Sequence, residues 1–159
     1  MKILFVCTGN TCRSAMAEAL FNSEANRGEL PFSVEASSAG LAAMAGQKAA
    51  EEARQLLRAE GVEAIEKHRA STLTREAVDT ADLIMVMTAE HRRQLLSFFP
   101  HAASKTFLLK EFAEPEQLEY DIEDPVALGS EEYRAIMEDI RSCVKKVLVK
   151  LQDERGGTE

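Results

Sequence analysis

A short segment near the start of the sequence combines a nucleophile, a cation and a permissive backbone. Residues 7–14 read Cys-Thr-Gly-Asn-Thr-Cys-Arg-Ser, with five residues between Cys7 and Arg13. Gly9 and Asn10 tolerate left-handed backbone, so the segment can turn a ring of N–H donors toward one centre. The planar guanidinium of Arg13 can bind two phosphoryl oxygens at once, and a Cys7 thiolate is a nucleophile for phosphorus. The segment is therefore a candidate phosphate-binding loop with the nucleophile at its base.

The elements on either side of this segment favour that interpretation. The apolar run at 3–6 predicts a strand before the loop, and the spacing of Met16, Leu20 and Phe21 predicts a helix after it. The start of such a helix brings its positive dipole end to the loop. The spacing between Cys7 and Arg13, taken alone, also fits a buried cysteine at the end of a strand and a surface arginine without a catalytic role. A Gly-containing loop between a strand and a helix, however, is typical of phosphate sites.

Strand and helix patterns alternate along the rest of the chain. Buried strands are predicted at 3–6, 83–87 and 106–109, and an edge strand is predicted at 32–36. Four helices are predicted. The first follows the first strand and has Glu18, Asn22 and Glu24 on its polar side, and the second covers 49–57 and ends at Gly61. The third runs from a Thr88 cap to Leu96, and the fourth runs from Ser130 to Leu151. This order predicts an α/β protein whose parallel sheet has helices on both faces and whose site lies at the carboxyl ends of the strands.

Length and composition limit the class of protein. The chain has 159 residues, 45% of them hydrophobic and 29% charged, which predicts a single domain over 1–152 and a flexible tail at 153–159. The net charge of −8 argues against general affinity for nucleic acid or for an anionic membrane. The apolar runs are too short to span a bilayer, and the first residues lack the pattern of a signal peptide, so a cytoplasmic location is expected.

The cysteines and histidines do not suggest a metal site or a cofactor. Three cysteines, Cys7, Cys12 and Cys143, are an odd number and do not suit a secreted disulfide framework. No spacing typical of zinc ligands occurs, so no metal is expected. His91 and His101 are predicted to be exposed surface residues, and Cys143 is predicted to pack on the last helix.

A second candidate catalytic group lies in the long polar stretch at 111–129. Loops of this length are usually functional or disordered. Pro125 fixes its own φ and biases Asp124 toward extended backbone, which would orient the Asp124 carboxylate reproducibly. Asp121 and Glu123 are alternatives, and a solvated acidic turn without catalytic function is a further one.

The segment at 6–19, Val-Cys-Thr-Gly-Asn-Thr-Cys-Arg-Ser-Ala-Met-Ala-Glu-Ala, resembles the signature of the low-molecular-weight protein tyrosine phosphatase family. The resemblance covers essentially the whole chain. It implies a four-stranded parallel sheet of strand order 2-1-3-4 wrapped by helices. It also implies that Cys7 is the nucleophile, Arg13 the phosphate-binding arginine and Asp124 the proton donor.

The same resemblance implies roles for the residues around the nucleophile. Ser38, in the segment Ser38-Ala39-Gly40, and His68 would support the shape of the loop. The substrate-binding residues would be Thr8, Gly9, Asn10, Thr11, Cys12 and Ser14, of which Asn10 and Ser14 would also hold the loop.

Two features separate this chain from the tyrosine-specific members of the family. Thr11 stands where those members have Ile or Leu, and no aromatic residue occurs in 121–132, where they often flank the phenol ring. The loop instead resembles that of the bacterial protein arginine phosphatases. The resemblance thus implies phosphoarginine on proteins as substrate and a protein arginine kinase as the opposing enzyme, with phosphotyrosine as the alternative. For Thr11 a purely local role remains open, in which its hydroxyl binds only the backbone of the loop.

Proteins of other classes share parts of this pattern. An arsenate reductase would need further cysteines near 80–90, and 81–90 contains none. A phosphocarrier module that forms phosphocysteine would not need both Arg13 and a separate proton donor. An anion-binding domain without catalysis would not turn over p-nitrophenyl phosphate.

The two cysteines of the loop predict sensitivity to oxidation. A sulfenic acid at Cys7 could be trapped as a disulfide by Cys12, five residues away on the same loop. The alternative is that Cys12 only packs beneath the loop.

Overall fold

Four parallel strands form one sheet in a computed structural model that describes residues 1–28 and 30–156. The strands are β1 (Lys2–Cys7), β2 (Glu35–Gly40), β3 (Leu83–Val86) and β4 (Thr106–Leu108). Their order across the sheet is β2-β1-β3-β4, and every neighbouring pair is parallel. The predicted α/β class and strand order are confirmed.

Helices cover both faces of the sheet because the side chains of β1 alternate between two apolar clusters. Ile3 and Phe5 point into one cluster, and Leu4 and Val6 point into the other. The helices are α1 (Arg13–Arg27), α2 (Glu51–Ala59), α3 (Arg75–Thr80), α4 (Ala89–Phe98), α5 (Leu109–Ala113) and α6 (Ser130–Gly156), with 3-10 turns at Glu63–Lys67 and Pro100–Lys105. Residues of α1, α2, α5 and α6 pack on the first face, and residues of α3 and α4 pack on the second. In the described residues no helix has the length and apolarity needed to cross a membrane.

Two helix ends form as the sequence indicates. The Thr88 hydroxyl accepts a hydrogen bond from the backbone N–H of His91, which caps α4. After α2, Gly61 has φ +82°, and the N–H groups of Gly61 and Val62 donate to the carbonyls of Arg58 and Leu57. Gly61 therefore ends α2 through a left-handed residue, as expected.

The second strand lies later in the chain than its predicted position of 32–36. Parallel pairing with β1 runs from Lys2 opposite Glu35 to Cys7 opposite Gly40, so the strand includes small residues with no strand pattern of their own. Phe32 and Val34 are partly buried against the core before the strand begins. Tertiary pairing, rather than local alternation, sets the position of β2.

The C-terminal boundary also differs from the prediction. The last helix continues through Gly156, so residues 153–156 of the predicted tail are helical. The remaining residues of that predicted tail, 157–159, lie outside the described residues.

Close backbone approach between β2 and the loop after β1 requires a glycine at position 40. The N–H groups of Leu41 and Ala42 donate to the carbonyls of Cys7 and Thr8, which holds the two backbones together. A Cβ atom on Gly40 would lie 2.6 Å from the Thr8 carbonyl oxygen. A side chain at this position would therefore displace the candidate phosphate loop.

We predict that Gly40→Ala destabilises the protein by about 2 kcal/mol, the usual scale for overpacking, and reduces the phosphatase activity that the resemblance implies. Gly28→Ala is the matched control, because a Cβ atom on Gly28 meets nothing within 4 Å. Chemical denaturation and turnover of p-nitrophenyl phosphate measure the two effects. Wild-type activity and stability in Gly40→Ala would contradict the prediction.

Candidate active site

Residues 8–12 join β1 to α1 at the carboxyl edge of the sheet and place Cys7 and Arg13 at their two ends. Both residues are buried, with 3% and 5% of their surface exposed. The Cys7 Sγ lies 2.8 Å from the Ser14 hydroxyl oxygen. Helix α1 begins without a capping side chain and without an acidic residue in its first turn, which leaves its first N–H donors for an anion.

Asn10 holds the loop in shape. Its φ is +58°, the left-handed conformation that the sequence suggested, and its side chain is fully buried. The side-chain amide donates to the hydroxyls of Ser14 (2.8 Å) and Ser38 (2.9 Å), and its oxygen accepts from the backbone N–H of Ser71 (2.9 Å). One buried amide thus links the loop to α1, to β2 and to the segment before α3.

His68 and Ser38 contact the loop from outside. The His68 Nε2 donates to the Asn10 carbonyl at 2.6 Å. Ser38 donates to one Glu18 carboxylate oxygen at 2.9 Å, and the other Glu18 oxygen lies 4.0 Å from His68 Nδ1. The structure therefore brings both predicted supporting residues to the loop and joins them through Glu18.

Glu18 and Asn22, expected on the polar side of α1, are partly exposed and are both bound by neighbouring elements. Burial raises the pKa of Glu18, which lies in the network just described. Asn22 binds both the N–H and the carbonyl of Ala36 and so fixes α1 to β2. The sequence did contain a signal for Glu18, because it follows Ser14 by four residues and therefore lies on the same helix face.

Arg13 connects the loop to the candidate acid. Its Nη1 donates to the Ile122 carbonyl at 3.0 Å, and its Nη2 lies 3.7 Å from an Asp124 carboxylate oxygen. The Asp124 side chain is 52% exposed, and its other oxygen accepts from the N–H of Val126. The Ile122 N–H donates to the carbonyl of Met87, just after β3, and this anchors the acidic segment to the sheet.

The competing carboxylates occupy other positions. Asp121 accepts a hydrogen bond from the backbone N–H of Ala89 at 2.8 Å, at the start of α4. Glu123 is exposed. Asp124 is thus the member of this group that the structure places beside Arg13.

Cys12 is buried beneath the loop against a residue that sequence reasoning missed. Its Sγ lies 2.8 Å from the Tyr133 hydroxyl on α6. Burial, together with the negative charges of Cys7 and Asp124, raises the pKa of Cys12 to about 12. Cys12 is therefore a thiol at neutral pH. Cys143 is fully buried in the core, as expected for a packing residue.

Thr11 is partly buried in the loop, and its carbonyl accepts a hydrogen bond from the N–H of Ala50 just before α2. Its hydroxyl has no hydrogen-bond partner within residues 1–28 and 30–156. The purely local role, in which this hydroxyl binds the loop backbone, is therefore not what the structure shows.

His91 is buried, which contradicts its prediction as a surface residue. Only 4% of it is exposed, and its Nε2 lies 2.9 Å from the Thr8 hydroxyl oxygen. Burial, together with the charge of Arg13, lowers the pKa of His91 from the ordinary 6.5 to about 4, so the ring is neutral at pH 7. His101, in contrast, is exposed and pairs with Asp79. No group of His, Cys, Asp and Glu side chains in the described chain is arranged to hold a metal ion.

Comparison with known proteins agrees with this geometry. A family described as low molecular weight phosphotyrosine protein phosphatase matches residues 2–156. The chain is 40% identical to a protein-arginine-phosphatase of Geobacillus stearothermophilus, over 97% of this chain and 98% of the relative. The chain belongs to the low-molecular-weight protein tyrosine phosphatase family and is a cysteine-based phosphatase.

Two solved structures show the same fold. One is a YwlE arginine phosphatase mutant with a phosphorylated active-site serine (TM-score 0.90, 35% identity, 98% of each chain covered). The other is a low molecular weight protein tyrosine phosphatase from T. tengcongensis (TM-score 0.86, 41% identity, 94% of this chain and 99% of that chain). The similarity therefore extends to relatives named for two different phosphorylated residues.

The lowered pKa of His91 predicts that stability rises with pH between about 4 and 6.5. In this window the unfolded chain protonates His91 while the folded protein does not, so the contribution present above pH 6.5 is lost as pH falls toward 4. The resulting loss in the free energy of unfolding is at most about 3 kcal/mol. Urea denaturation of wild type and His91→Gln across this range measures it. Parallel stability profiles for the two proteins would contradict the prediction.

Proposed function

We propose that the protein is a protein arginine phosphatase that hydrolyses phosphoarginine on proteins through a phosphocysteine intermediate. The main support is the Thr11 side chain, whose hydroxyl is unpaired within the described chain. By the resemblance of the loop, this is the position of an apolar residue in tyrosine-specific members. The 40% identity to a protein-arginine-phosphatase over nearly the whole chain supports the same substrate.

In the first proposed step, the Cys7 thiolate attacks phosphorus in line with the departing nitrogen. The Ser14 hydroxyl, 2.8 Å away, can donate to the thiolate and stabilise it. Arg13 and the uncapped N–H groups at the start of α1 bind the equatorial oxygens, where negative charge is held in the transition state. The S–P bond forms as the P–N bond breaks.

Asp124 supplies the proton that the leaving guanidine requires. Its carboxyl group is half exposed and lies 3.7 Å from Arg13, so it can reach a nitrogen of a substrate bound to Arg13. In the second step the Asp124 carboxylate accepts a proton from water as the water attacks phosphorus and the S–P bond breaks. Phosphate leaves and the Cys7 thiolate returns. The phosphorylated serine named for a related arginine phosphatase supports a phosphoenzyme of this kind.

Phosphotyrosine is the alternative substrate. It is supported by 41% identity to a solved low molecular weight protein tyrosine phosphatase. The absence of aromatic residues from 121–132 of the sequence disfavours it, because no ring of that segment can stack on a phenol.

The proposal extends to the cellular setting. The substrates are phosphorylated proteins, and a protein arginine kinase is the opposing enzyme. The net charge of −8 supports a cationic guanidinium substrate over nucleic acid or membrane lipid, and a cytoplasmic location fits such substrates.

A side-by-side assay on phosphoarginine, phosphotyrosine and phosphoserine peptides tests the substrate. We expect the highest kcat/KM on phosphoarginine and no steady-state turnover by Cys7→Ser, which keeps the phosphate-binding groups but lacks the thiolate. A higher kcat/KM on phosphotyrosine would overturn the assignment of phosphoarginine as substrate but would leave the phosphatase assignment intact. If the protein hydrolysed none of the peptides and no p-nitrophenyl phosphate, it would be an anion-binding domain without phosphatase activity.

We predict that Asp124→Asn lowers kcat by about 10²–10⁴ on phosphoarginine, the usual effect of removing a positioned acid. The loss should be smaller on p-nitrophenyl phosphate, because nitrophenolate leaves without protonation. Asp121→Asn is the matched control, since Asp121 binds the Ala89 N–H. Equal losses of Asp124→Asn on both substrates, or a larger loss in Asp121→Asn, would remove Asp124 from the acid role.

We predict that Thr11→Ile lowers kcat/KM on phosphoarginine by about ten- to hundred-fold and raises it on phosphotyrosine. The guanidinium loses an oxygen that can accept from its N–H groups, whereas a phenol ring gains apolar contact. Thr11→Val, which has the shape of Thr without the hydroxyl, separates the two effects and should show only the first. A parallel loss on both substrates in Thr11→Ile would refute the specificity argument.

We predict that peroxide inactivates the enzyme reversibly. Oxidation of the Cys7 thiolate gives a sulfenic acid, with which the Cys12 thiol condenses to a disulfide as water leaves. Dithiothreitol should restore activity in wild type and restore it poorly in Cys12→Ser. Cys143→Ser, which changes a buried core cysteine, is the control and should recover like wild type. Equal recovery in all three proteins would show that Cys12 only packs beneath the loop.

A further inference from the structure

The junction between β3 and α4, residues 87–91, contacts both parts of the site. The Met87 carbonyl accepts from Ile122, and the Ala89 N–H donates to Asp121, so the junction anchors the acidic segment. From the same junction, His91 reaches across to the Thr8 hydroxyl on the phosphate loop. The contact joins residues 83 positions apart in sequence.

His91 is not explained by stability. Its Nδ1 is buried and has no hydrogen-bond partner among the described residues. A buried unsatisfied nitrogen opposes folding, and an apolar side chain of similar volume would avoid that cost. The other nitrogen makes its contact with Thr8, an exposed residue of the loop. Burial of the unpaired Nδ1 therefore lowers the stability of the fold, while the Nε2 of the same ring holds Thr8 in the substrate-binding loop.

We propose that His91 is a positioning residue that fixes the phosphate loop relative to the acidic segment. Through Thr8 it holds the loop that carries Cys7, and through Met87 and Ala89 its own junction holds the segment that carries Asp124. The proposal rests on the part of the proposed function that makes Asp124 the proton donor. It does not depend on phosphoarginine as the substrate.

The dependence on leaving group distinguishes this role from a general effect on folding. A substrate with a poor leaving group needs the acid at the correct distance from the bound phosphoryl group, whereas a substrate with a good leaving group does not. Loss of the contact between His91 and Thr8 should therefore lower turnover of phenyl phosphate more than turnover of p-nitrophenyl phosphate. Binding of inorganic phosphate, which needs only the loop, should change little.

The experiment compares His91→Leu, Thr8→Val and the double variant with His91→Gln, whose longer amide can reach Thr8. We expect His91→Leu and Thr8→Val each to lower kcat on phenyl phosphate by about ten-fold, and on p-nitrophenyl phosphate by less than about three-fold. The double variant should lose no more than either single variant, because both remove one contact. His91→Gln should recover most of the activity, and the melting temperature of His91→Leu should not fall. The control is His101→Gln, which changes an exposed histidine.

Equal losses on the two esters, additive losses in the double variant, or a fall in melting temperature that accounts for the lost activity would overturn the proposal. If His91→Leu does not fold, Thr8→Val tests the same hydrogen bond from the exposed side. Because both substrates are aryl phosphates, a failure of the phosphoarginine assay leaves this result interpretable. Conversely, a failure here leaves the substrate assignment intact.

Discussion

The site depends on one buried amide, that of Asn10. A loop that turns its N–H groups inward toward an anion cannot satisfy its own polar groups, so other parts of the chain must hold it. Asn10 does this in the left-handed conformation with three side-chain hydrogen bonds, to Ser14, Ser38 and the backbone of Ser71. Its carbonyl is held in addition by His68. The protein itself therefore holds the loop in shape, which lowers the free energy that binding a ligand must spend on ordering it.

The groups around the loop preserve the attraction between Arg13 and a phosphoryl group and do not oppose a negative charge on Cys7. Arg13 is a buried cation, and two buried groups near it are neutral at pH 7: His91 because its pKa falls to about 4, and Cys12 because its pKa rises to about 12. A second fixed charge at either position would weaken the attraction between Arg13 and a phosphoryl group or oppose the Cys7 thiolate. The carboxylate that the mechanism needs lies instead at the rim, on Asp124, where water can reach it.

The parts of the fold and of the site that could be predicted from the sequence depend on residues that are neighbours in the chain. The strand, loop and helix around Cys7 and Arg13 follow from residues adjacent in the chain, and Pro125 marks its neighbour Asp124. The position of β2 could not be predicted, because pairing with β1 rather than alternation determines it. His91 was also misplaced, because no neighbour in sequence indicates that it meets a loop 83 residues away. Contacts at such separation depend on the assembled sheet, which a local pattern does not contain.

The wide spacing of the loop's partners has a consequence for the newly made chain. Asn10 is synthesised 28 residues before Ser38, 58 before His68 and 61 before Ser71, and Arg13 precedes Ile122 by 109 residues. Because β1 is central in the sheet, it cannot be enclosed until β2 and β3 have been translated. During elongation at the ribosome the loop around Cys7 therefore lacks the distant partners that hold its shape. The phosphate-binding shape of the loop is therefore complete only once the sheet has formed.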